Sequence, residues 1–234
     1  MTVASNLSAI RESIARAAKR AGRQPEHIAL MAVIKTFPPE KILEAYAAGQ
    51  RLFGENRVQE FAEKFGSLSE LRDAEFHMIG HLQSNKAGKA AEIFCAVDSL
   101  DSVKLVERLN AAAEKLGKTL EVLIEVNVGG EEAKSGIAPD SSELESILIA
   151  APEWKNLHIR GLMTVPPFTE DPEGARPYFR QLRELRDRLA ARNLPFVSLD
   201  VLSMGMSHDF EVAIEEGSTC VRLGTAIFGT RTTP

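Results

Sequence analysis

A lysine that follows an apolar run is the residue whose type and position most clearly indicate chemistry. Residues 28–34 are all apolar, as in a parallel strand covered on both faces, and Lys35 follows them directly, before Pro38 and Pro39 end the strand. Burial disfavours a charged amine and lowers its pKa below the usual value of about 10.4, and a neutral amine can attack a carbonyl carbon. Lys35 is therefore a candidate Schiff-base lysine for a carbonyl substrate or for pyridoxal phosphate. The alternative is a lysine that only reaches out of a strand end.

Two turns late in the sequence combine glycines with hydroxyl side chains. Residues 203–207 read SMGMS and end in Ser207, and residues 224–229 read GTAIFG and begin with Gly224 and Thr225. Backbone N–H groups in such turns bind phosphate, because the start of a helix carries unpaired donors and a partial positive charge. Neither turn is a Walker P-loop, and ordinary helix capping explains either of them alone as well as ligand binding does.

Arg222 stands just before the second turn, in the stretch TCVRL. Alternation along a strand puts Val221 and Leu223 on one face and sends Arg222 to the other. An arginine beside a pyridine nitrogen would keep that nitrogen unprotonated, because two cationic donors cannot share it, and would weaken the ring as an electron sink. A structural salt bridge is the alternative role for Arg222.

The order of the predicted elements suggests a barrel. After a helix that begins near Ser5 and ends at Gly22, strand-like segments alternate with helices or loops, at residues 28–34, 51–53, 76–79, 93–97, 120–128, 157–163, 196–202 and 219–223. Eight alternating units predict an α/β fold: a TIM-type (β/α)8 barrel, preceded by an N-terminal helix and forming one domain over residues 1–234. A doubly wound open sheet is the alternative, although no G-x-G-x-x-G follows the first strand.

A barrel of this type places its chemistry at one end. The active site lies at the C-terminal ends of the strands, and the loops after strands seven and eight hold phosphate. Lys35 and both glycine turns fall at such ends, and Asp98 and Asn127 are further polar residues predicted there.

The composition excludes several classes of protein. The chain has 234 residues, a net charge of −5 and a sequence pI of about 5.7, so it lacks the basic field that attracts nucleic acid or anionic membranes. Its first residues mix charges with apolar residues at helical spacing, unlike a secretory signal or a membrane span, and a cytoplasmic protein is expected. Cys95 and Cys220 are predicted to be reduced core residues, and the five histidines lack metal-ligand spacing.

The sequence contains six motifs that together resemble the YggS/PROSC family of pyridoxal-phosphate-binding proteins: GENRVQE, HMIGHLQSNK, EEAKSG, GLMTV, SMGMSHDFEVAIEEGST and VRLGTAIFG. The resemblance spans residues 7–231. It implies a barrel like the N-terminal domain of alanine racemase, with pyridoxal phosphate bound to Lys35 as a Schiff base. It also implies cofactor contacts from the residues that match by position: Asn56, Met204, Ser207, Arg222, Gly224 and Thr225. Ser207 and the Gly224-Thr225 turn would hold the phosphate, and Arg222 would face the pyridine nitrogen.

The sequence departs from the family pattern at two positions. Family members usually carry serine where this chain has Ile34, and often an aromatic residue where it has Arg57. Ile34 should point away from the barrel interior if Lys35 points into it, so it is expected to change helix packing only. Because Arg57 departs from the family pattern, the resemblance does not predict how the rim beside Asn56 is formed.

Four more polar residues carry hypotheses. Lys134, in EEAKSG, could be a second amine that helps the cofactor to enter or leave. His81 and Lys86 could meet a negatively charged ligand or partner, and a solvated loop explains them equally well. His77, inside a predicted strand, is expected to be a hydrogen-bonded core histidine.

The tyrosines bear on whether the protein is an enzyme. Racemization on pyridoxal phosphate needs an acid and a base on opposite faces of the substrate carbon, and one lysine supplies only one of them. In alanine racemases the second is a tyrosine from an additional domain of the partner subunit. Here both tyrosines, Tyr46 and Tyr178, fall in predicted helices outside the barrel.

The residues and the resemblance therefore predict a non-catalytic protein of pyridoxal phosphate homeostasis that carries or buffers the cofactor. An amino-acid racemase with an unidentified second base and a Schiff-base aldolase are the alternatives. Pyridoxal-phosphate-dependent apoenzymes are possible recipients, whereas nucleic acid and membranes are not expected as partners. A monomer is expected, since no domain follows the barrel to build a racemase-type dimer.

Overall fold

The computed structural model describes residues 2–131 and 134–229. Eight parallel strands form a closed barrel in chain order, and the predicted TIM-type barrel with an N-terminal helix is confirmed. The strands are Ala29–Val33 (β1), Leu52–Glu55 (β2), Glu75–Met78 (β3), Ala96–Leu100 (β4), Leu120–Glu125 (β5), Leu157–Met163 (β6), Val197–Ser203 (β7) and Cys220–Leu223 (β8). The α-helices are Val3–Arg20 (α1), Pro39–Ala47 (α2), Val58–Phe65 (α3), Ala87–Ile93 (α4), Val103–Lys115 (α5), Ser142–Ile149 (α6), Arg176–Ala190 (α7), Phe210–Glu215 (α8) and Thr225–Phe228 (α9). Short 3-10 helices lie at Pro25–His27, Gly66–Leu68, Ser84–Lys86, Ala151–Glu153 and Pro172–Ala175.

Most strands lie within one or two residues of their predicted bounds, and two differ by three residues. The fourth, predicted at residues 93–97, begins at Ala96, because α4 extends through Ile93 and uses part of the same apolar run. The fifth, predicted to reach residue 128, ends at Glu125, and an isolated bridge joins Val126 to Ile137 beyond it.

Alternation along each strand separates an inner face from an outer face. In β1, Ala32 and the following Ile34 belong to the hydrophobic core that lies between the barrel and its helices. Met31 instead lines a cavity inside the barrel. Ile34 is fully buried in that outer core, on the side away from the interior, as predicted for it.

The N-terminal helix α1 covers the seam where the barrel closes. Its buried face, which includes Leu7, Ile10 and Ile14, packs against α2, α8 and α9. The cap of α1 is Thr2 and not Ser5: each residue's backbone N–H donates to the other's side-chain oxygen, which is a capping box.

The two cysteines lie in different environments, and both are free thiols. Cys220 is buried in β8, as predicted. Cys95 is exposed in the turn between α4 and β4, so the prediction that it is a core residue is wrong. None of the helices within the described ranges combines the length and apolar character that crossing a membrane requires.

A buried carboxylate joins α7 to the end of α8. Glu216, whose side chain is 6% exposed, accepts hydrogen bonds from Arg176 (3.1 Å), Arg180 (3.2 Å) and Arg183 (2.8 Å). Burial alone would raise the pKa of Glu216, but the hydrogen bonds from Arg180 and Arg176 outweigh it and lower that pKa. Glu216 therefore links the end of α8 to three arginines of α7, one of which, Arg176, also pairs with Glu173 and Glu215.

Glu216→Gln is expected to lower the free energy of unfolding at pH 7 by about 1–3 kcal/mol, because it removes a buried carboxylate that accepts charge-assisted hydrogen bonds from three arginines. Because folding lowers the pKa of Glu216, its contribution is present above the unfolded value of about 4.3 and is lost as the pH falls below it. Urea unfolding at pH 7 and at pH 3.5 measures both effects. The exposed Glu184→Gln, also on α7, is the matched control, and an equal deficit for Glu216→Gln at the two pH values would contradict the argument.

Candidate functional site

Lys35 lies two residues beyond β1, in a turn that bends the chain away from the barrel. Its side chain is partly buried, and alternation places it on the same side of the strand as Val33 and Met31, which is the interior. Thr36 next to it has a φ of 66°, a left-handed conformation that residues other than glycine seldom adopt. The Phe37 N–H donates to the Ile34 carbonyl at 3.1 Å and closes the turn. Such strain often occurs at functional positions.

A buried ion pair lies behind this turn, on the outer side of the barrel. The Lys64 ammonium on α3 donates to Glu55 Oε2 at 3.0 Å and to the Ile34 carbonyl at 3.2 Å. The other oxygen of Glu55 accepts the backbone N–H of Asn56 at 2.7 Å. The pair therefore connects the residue before Lys35 with the residue after β2.

Asn56 lies beside Lys35 at the end of the neighbouring strand. The register pairs Val33 with Gly54, and the Ile34 N–H donates to the Gly54 carbonyl at 2.9 Å, so Lys35 and Asn56 follow the ends of two paired strands. Gly80, after β3, packs directly on the backbone of Asn56: a Cβ added at Gly80 would lie 2.8 Å from Asn56 Cα. Asn56 Oδ1 is buried and has no hydrogen-bond partner among the described residues. A buried acceptor without a donor is unfavourable unless a ligand supplies one.

Arg222 lies inside the barrel and is 4% exposed. Its guanidinium donates to Ser203 Oγ and to the Thr164 carbonyl, both at 2.7 Å, so its orientation is fixed by β7 and the end of β6. Burial lowers the pKa of Arg222, and the nearby Cys220, Asp98, Glu125 and Asp209 oppose that shift. The prediction that Arg222 points into the barrel agrees with this position.

The two glycine turns lie side by side at the ends of β7 and β8. Gly205 has a φ of 96°, and a Cβ there would lie 2.6 Å from Ala213 Cβ, so the turn requires glycine. The Asp209 carboxylate accepts the Met206 N–H at 2.6 Å and holds the same turn. Across the gap, the Ala226 N–H points to Ser207 Oγ at 3.5 Å.

The second turn also borders β1. A Cβ added at Gly224 would lie 3.4 Å from the Val33 carbonyl oxygen, and Thr225 begins α9 directly after it. The structure therefore brings Ser207, Gly224 and Thr225 together with the strand that carries Lys35.

Met204 is the predicted site residue that the structure does not bring to the barrel mouth. Its side chain is fully buried in the outer hydrophobic core, opposite to that of Ser203. Its N–H donates to the Cys220 carbonyl, and its own carbonyl accepts from Ser218 Oγ. Met204 therefore stabilises the turn from the outer side of the barrel.

The sequence argument missed Glu125, the last residue of β5. Glu125 faces the barrel interior and is 8% exposed. Burial, with a smaller contribution from Asp101, raises its pKa to about 7, against the opposing effects of Arg222 and His81. The period-two pattern of LEVLIE places Glu125 on the same face as Glu121 and Leu123, and that signal could have identified it.

Asp98 was predicted at a strand end, and this prediction is wrong. A register shift lies between Val97 and Leu100, and β4 continues past Asp98. Asp98 instead pairs with His77 at 3.1 Å and lines a cavity of about 470 Å³ among the N-terminal halves of the strands. Burial would lower the pKa of His77, but the charge of Asp98 and its hydrogen bond raise it well above the usual value. The prediction of a hydrogen-bonded His77 is confirmed.

The rim residues lie on two sides of the mouth. His81 and Lys86 line a cavity of about 240 Å³ together with Asn56 and Arg57, and His81 pairs with Asp101 at 2.8 Å. Lys134 forms an ion pair with Glu131 and donates to the Pro166 carbonyl at 3.2 Å. Its predicted role in moving a cofactor stays a prediction.

The C-terminal end of the barrel thus presents an amine, a buried guanidinium, a buried amide oxygen and a pair of hydroxyl-bearing turns. The turns and the guanidinium suit an anionic ligand, and the amine suits a carbonyl group. The sequence also matches the family described as "Alanine racemase, N-terminal domain" over residues 5–232. The alanine racemase of Clostridium difficile shares the fold, with a TM-score of 0.73 and 14% identity over 99% of this chain and 57% of that one. Fold and site therefore define a barrel of the alanine racemase N-terminal class.

Relatives of similar length define the family more closely. An Aquifex aeolicus protein is 48% identical over 231 residues (99% of both chains), and an Escherichia coli protein is 43% identical over 234 residues (98% of this chain and 97% of the relative); both are named pyridoxal phosphate homeostasis protein. PipY of Synechococcus elongatus, solved with pyridoxal phosphate bound, is 37% identical, with a TM-score of 0.85 over 97% of this chain and 100% of that one. This chain belongs to the family of pyridoxal phosphate homeostasis proteins, so the predicted resemblance is confirmed. The relatives are named for homeostasis of the cofactor and not for a reaction.

Proposed function

We propose that this protein binds pyridoxal 5'-phosphate, held as a Schiff base by Lys35, and carries or buffers the cofactor without strong catalysis. The observation that carries the proposal is the meeting of Lys35, Arg222 and the two hydroxyl-bearing turns at the C-terminal end of one barrel. The cofactor bound to PipY and the names of the relatives support it.

The phosphate is assigned to the turns after β7 and β8. Ser207 and Thr225 supply hydroxyls, and the turn at Gly224 supplies backbone N–H groups close to β1. Gly205 and Asp209 keep the first turn in shape, and Met204 supports it from the outer core.

The ring is assigned to the barrel interior. When bound, pyridoxal phosphate supplies a carbonyl carbon for Lys35 and an electron-withdrawing pyridine ring. Hydrogen bonds to Ser203 and Thr164 fix the orientation of the Arg222 guanidinium. It would face the ring nitrogen as a donor and, because it is a cation, would keep that nitrogen unprotonated. Asn56 Oδ1, buried without a donor from the described chain, provides an acceptor for the ligand.

A carrier fits the positions of the tyrosines better than a racemase does. Tyr46 lies on α2, where its hydroxyl contacts Asp73, and Tyr178 lies on α7. Both helices are outside the barrel, so neither hydroxyl can act on a carbon held at Lys35. The proposal includes pyridoxal-phosphate-dependent apoenzymes as recipients and a monomeric state. It also includes a cytoplasmic location, which the two free thiols favour.

The visible absorption spectrum of the protein loaded with pyridoxal phosphate tests the site. The Schiff-base band is expected in the unsubstituted protein and in Lys41→Ala, which removes a lysine of α2 that pairs with Glu44 at the surface. The band is expected to be lost in Lys35→Ala. Borohydride reduction followed by peptide mass analysis should place the cofactor on Lys35. A band retained by Lys35→Ala, or no band in the unsubstituted protein, would overturn the assignment.

Exchange of the α-hydrogen of an amino acid with solvent separates a carrier from an enzyme. Little exchange of alanine in deuterated water is expected from the loaded protein, together with reactivation of an apoenzyme mixed with it. Sustained exchange would instead favour a racemase.

A further inference from the structure

Glu125 enters the barrel from the side opposite Lys35. The strands close in chain order, so four positions separate β5 from β1. Glu125 is paired in register with Met163 of β6, while the preceding Ile124 belongs to the outer core, so the carboxyl points inward. The residue is 8% exposed, and its Oε2 atom is buried with no hydrogen-bond partner in the parts of the chain that are described. A side chain in this position faces whatever occupies the mouth.

The groups around Glu125 leave it close to balance between its two protonation states. Arg222 on β8 and His81 after β3 favour the carboxylate, whereas burial and the carboxyl of Asp101 after β4 disfavour it. Gly136, which follows the loop after β5, covers its stem: a Cβ added there would lie 3.3 Å from Glu125 Cγ. Because the pKa of the Glu125 carboxyl is about 7, a small change in nearby charge changes its protonation state.

The ligand of the proposed function is rich in acceptors and carries negative charge. A phosphate and a ring oxygen would repel a carboxylate, but a protonated carboxyl can donate a hydrogen bond to an oxygen. Such a bond would also satisfy the buried Oε2, whose lack of a partner is otherwise unfavourable.

We propose that Glu125 is a further binding residue of this site, whose protonated Oε2 donates a hydrogen bond to an anionic oxygen of the bound ligand, so that binding takes up a proton. This inference rests on the proposed function, because it requires a pyridoxal-phosphate-type ligand between Lys35 and Glu125.

Calorimetric titration with pyridoxine 5'-phosphate tests it. This probe has a hydroxymethyl group where pyridoxal phosphate has its aldehyde, so Lys35 cannot bond to it and contributes no proton of its own. Titration at pH 7.5, in two buffers of different ionisation enthalpy, gives the number of protons taken up. The unsubstituted protein is expected to take up about three quarters of a proton more than Glu125→Gln, given a pKa of about 7 before binding. Glu121→Gln, on the same strand at the other end of the barrel, is the matched control and should behave as the unsubstituted protein.

The pH dependence of affinity gives a second readout. Between pH 6.5 and 8.5 the affinity of the unsubstituted protein should fall about 25-fold relative to that of Glu125→Gln, whose amide donates at every pH. Titration of the probe's own phosphate is common to both proteins and cancels in the ratio. Glu125→Ala, which has no donor, should bind about tenfold more weakly than Glu125→Gln at every pH.

Infrared difference spectroscopy of the unsubstituted protein requires no variant to fold. At pH 8, adding the probe should produce the C=O band of a protonated carboxyl. Equal proton uptake by the unsubstituted protein and Glu125→Gln, or no such band, overturns the role of Glu125 and leaves the proposed function standing. If the unsubstituted protein binds neither the probe nor pyridoxal phosphate, the proposed function fails and this inference fails with it.

Discussion

Lys64→Met is expected to lower the free energy of unfolding by about 3–5 kcal/mol, because it leaves the carboxylate of Glu55 buried without its cation. The Glu55 side chain is 0% exposed and that of Lys64 is 14% exposed, so water cannot replace the lost ammonium. The substitution also removes the donor to the Ile34 carbonyl, next to Lys35. Urea unfolding of the apo-protein at pH 7 measures the loss.

A double variant separates the charge from the packing. Lys64→Met combined with Glu55→Gln should recover much of the loss, because the glutamine can still accept the Asn56 N–H and no charge is left unpaired. Lys41→Met, which breaks an exposed pair with Glu44, is the control and should change the free energy by less than about 1 kcal/mol. A loss for Lys64→Met no larger than that of the control would show that the buried pair does not hold the ends of β1 and β2.

Arg222→Met is expected to have a similar effect, with a loss of about 3–5 kcal/mol at pH 7. Arg222 lies among the carboxyls of Asp98, Glu125 and Asp209, and its removal takes away their nearby cation together with the donors to Ser203 and Thr164. The pKa of Glu125 in the folded state, already raised to about 7, should rise further. A carboxyl whose folded pKa lies above its unfolded value destabilises the fold as the pH rises through that range.

The deficit of Arg222→Met should therefore be larger at pH 8 than at pH 6, as measured by urea unfolding at both values. Arg222→Lys retains the positive charge but not the planar guanidinium that donates to both Ser203 and Thr164, so it should recover part of the stability. Arg57→Met, at an exposed surface pair with Glu60, is the control for loss of an arginine. A deficit that stays constant with pH would mean that Arg222 does not compensate the interior carboxyls.

The strands of the barrel could be predicted from the sequence where residues of a different type flank the apolar run on both sides. Leu157–Met163 was predicted with both bounds correct, since polar residues precede it and prolines follow it. The run at residues 93–97 failed because the end of α4 and the start of β4 are both apolar, and composition cannot divide them. The helix Thr225–Phe228 is too short to show a helical period.

The site was predictable only as far as strand ends and motifs could define it. Lys35, Arg222 and the two turns follow from those signals. Asp98 lies within β4 and not at its end, because the strand continues through a register shift that no local sequence pattern reveals. Oε2 of Glu125 and Oδ1 of Asn56 are distinguished by the partners they lack within the described structure, and that is a property of three-dimensional packing.

The pairing of β1 with β8 also has a consequence for the order in which the protein becomes functional during translation. Leu30 pairs with Val221 and Met31 with Arg222, so these contacts join segments separated by most of the chain. Contacts so distant in sequence form late in folding, and the ribosome delivers β1 long before β8. Lys35 therefore emerges early but acquires Arg222 and the Gly224 turn as neighbours only after β8 has been synthesised. A nascent chain should consequently retain no pyridoxal phosphate until synthesis has passed that strand.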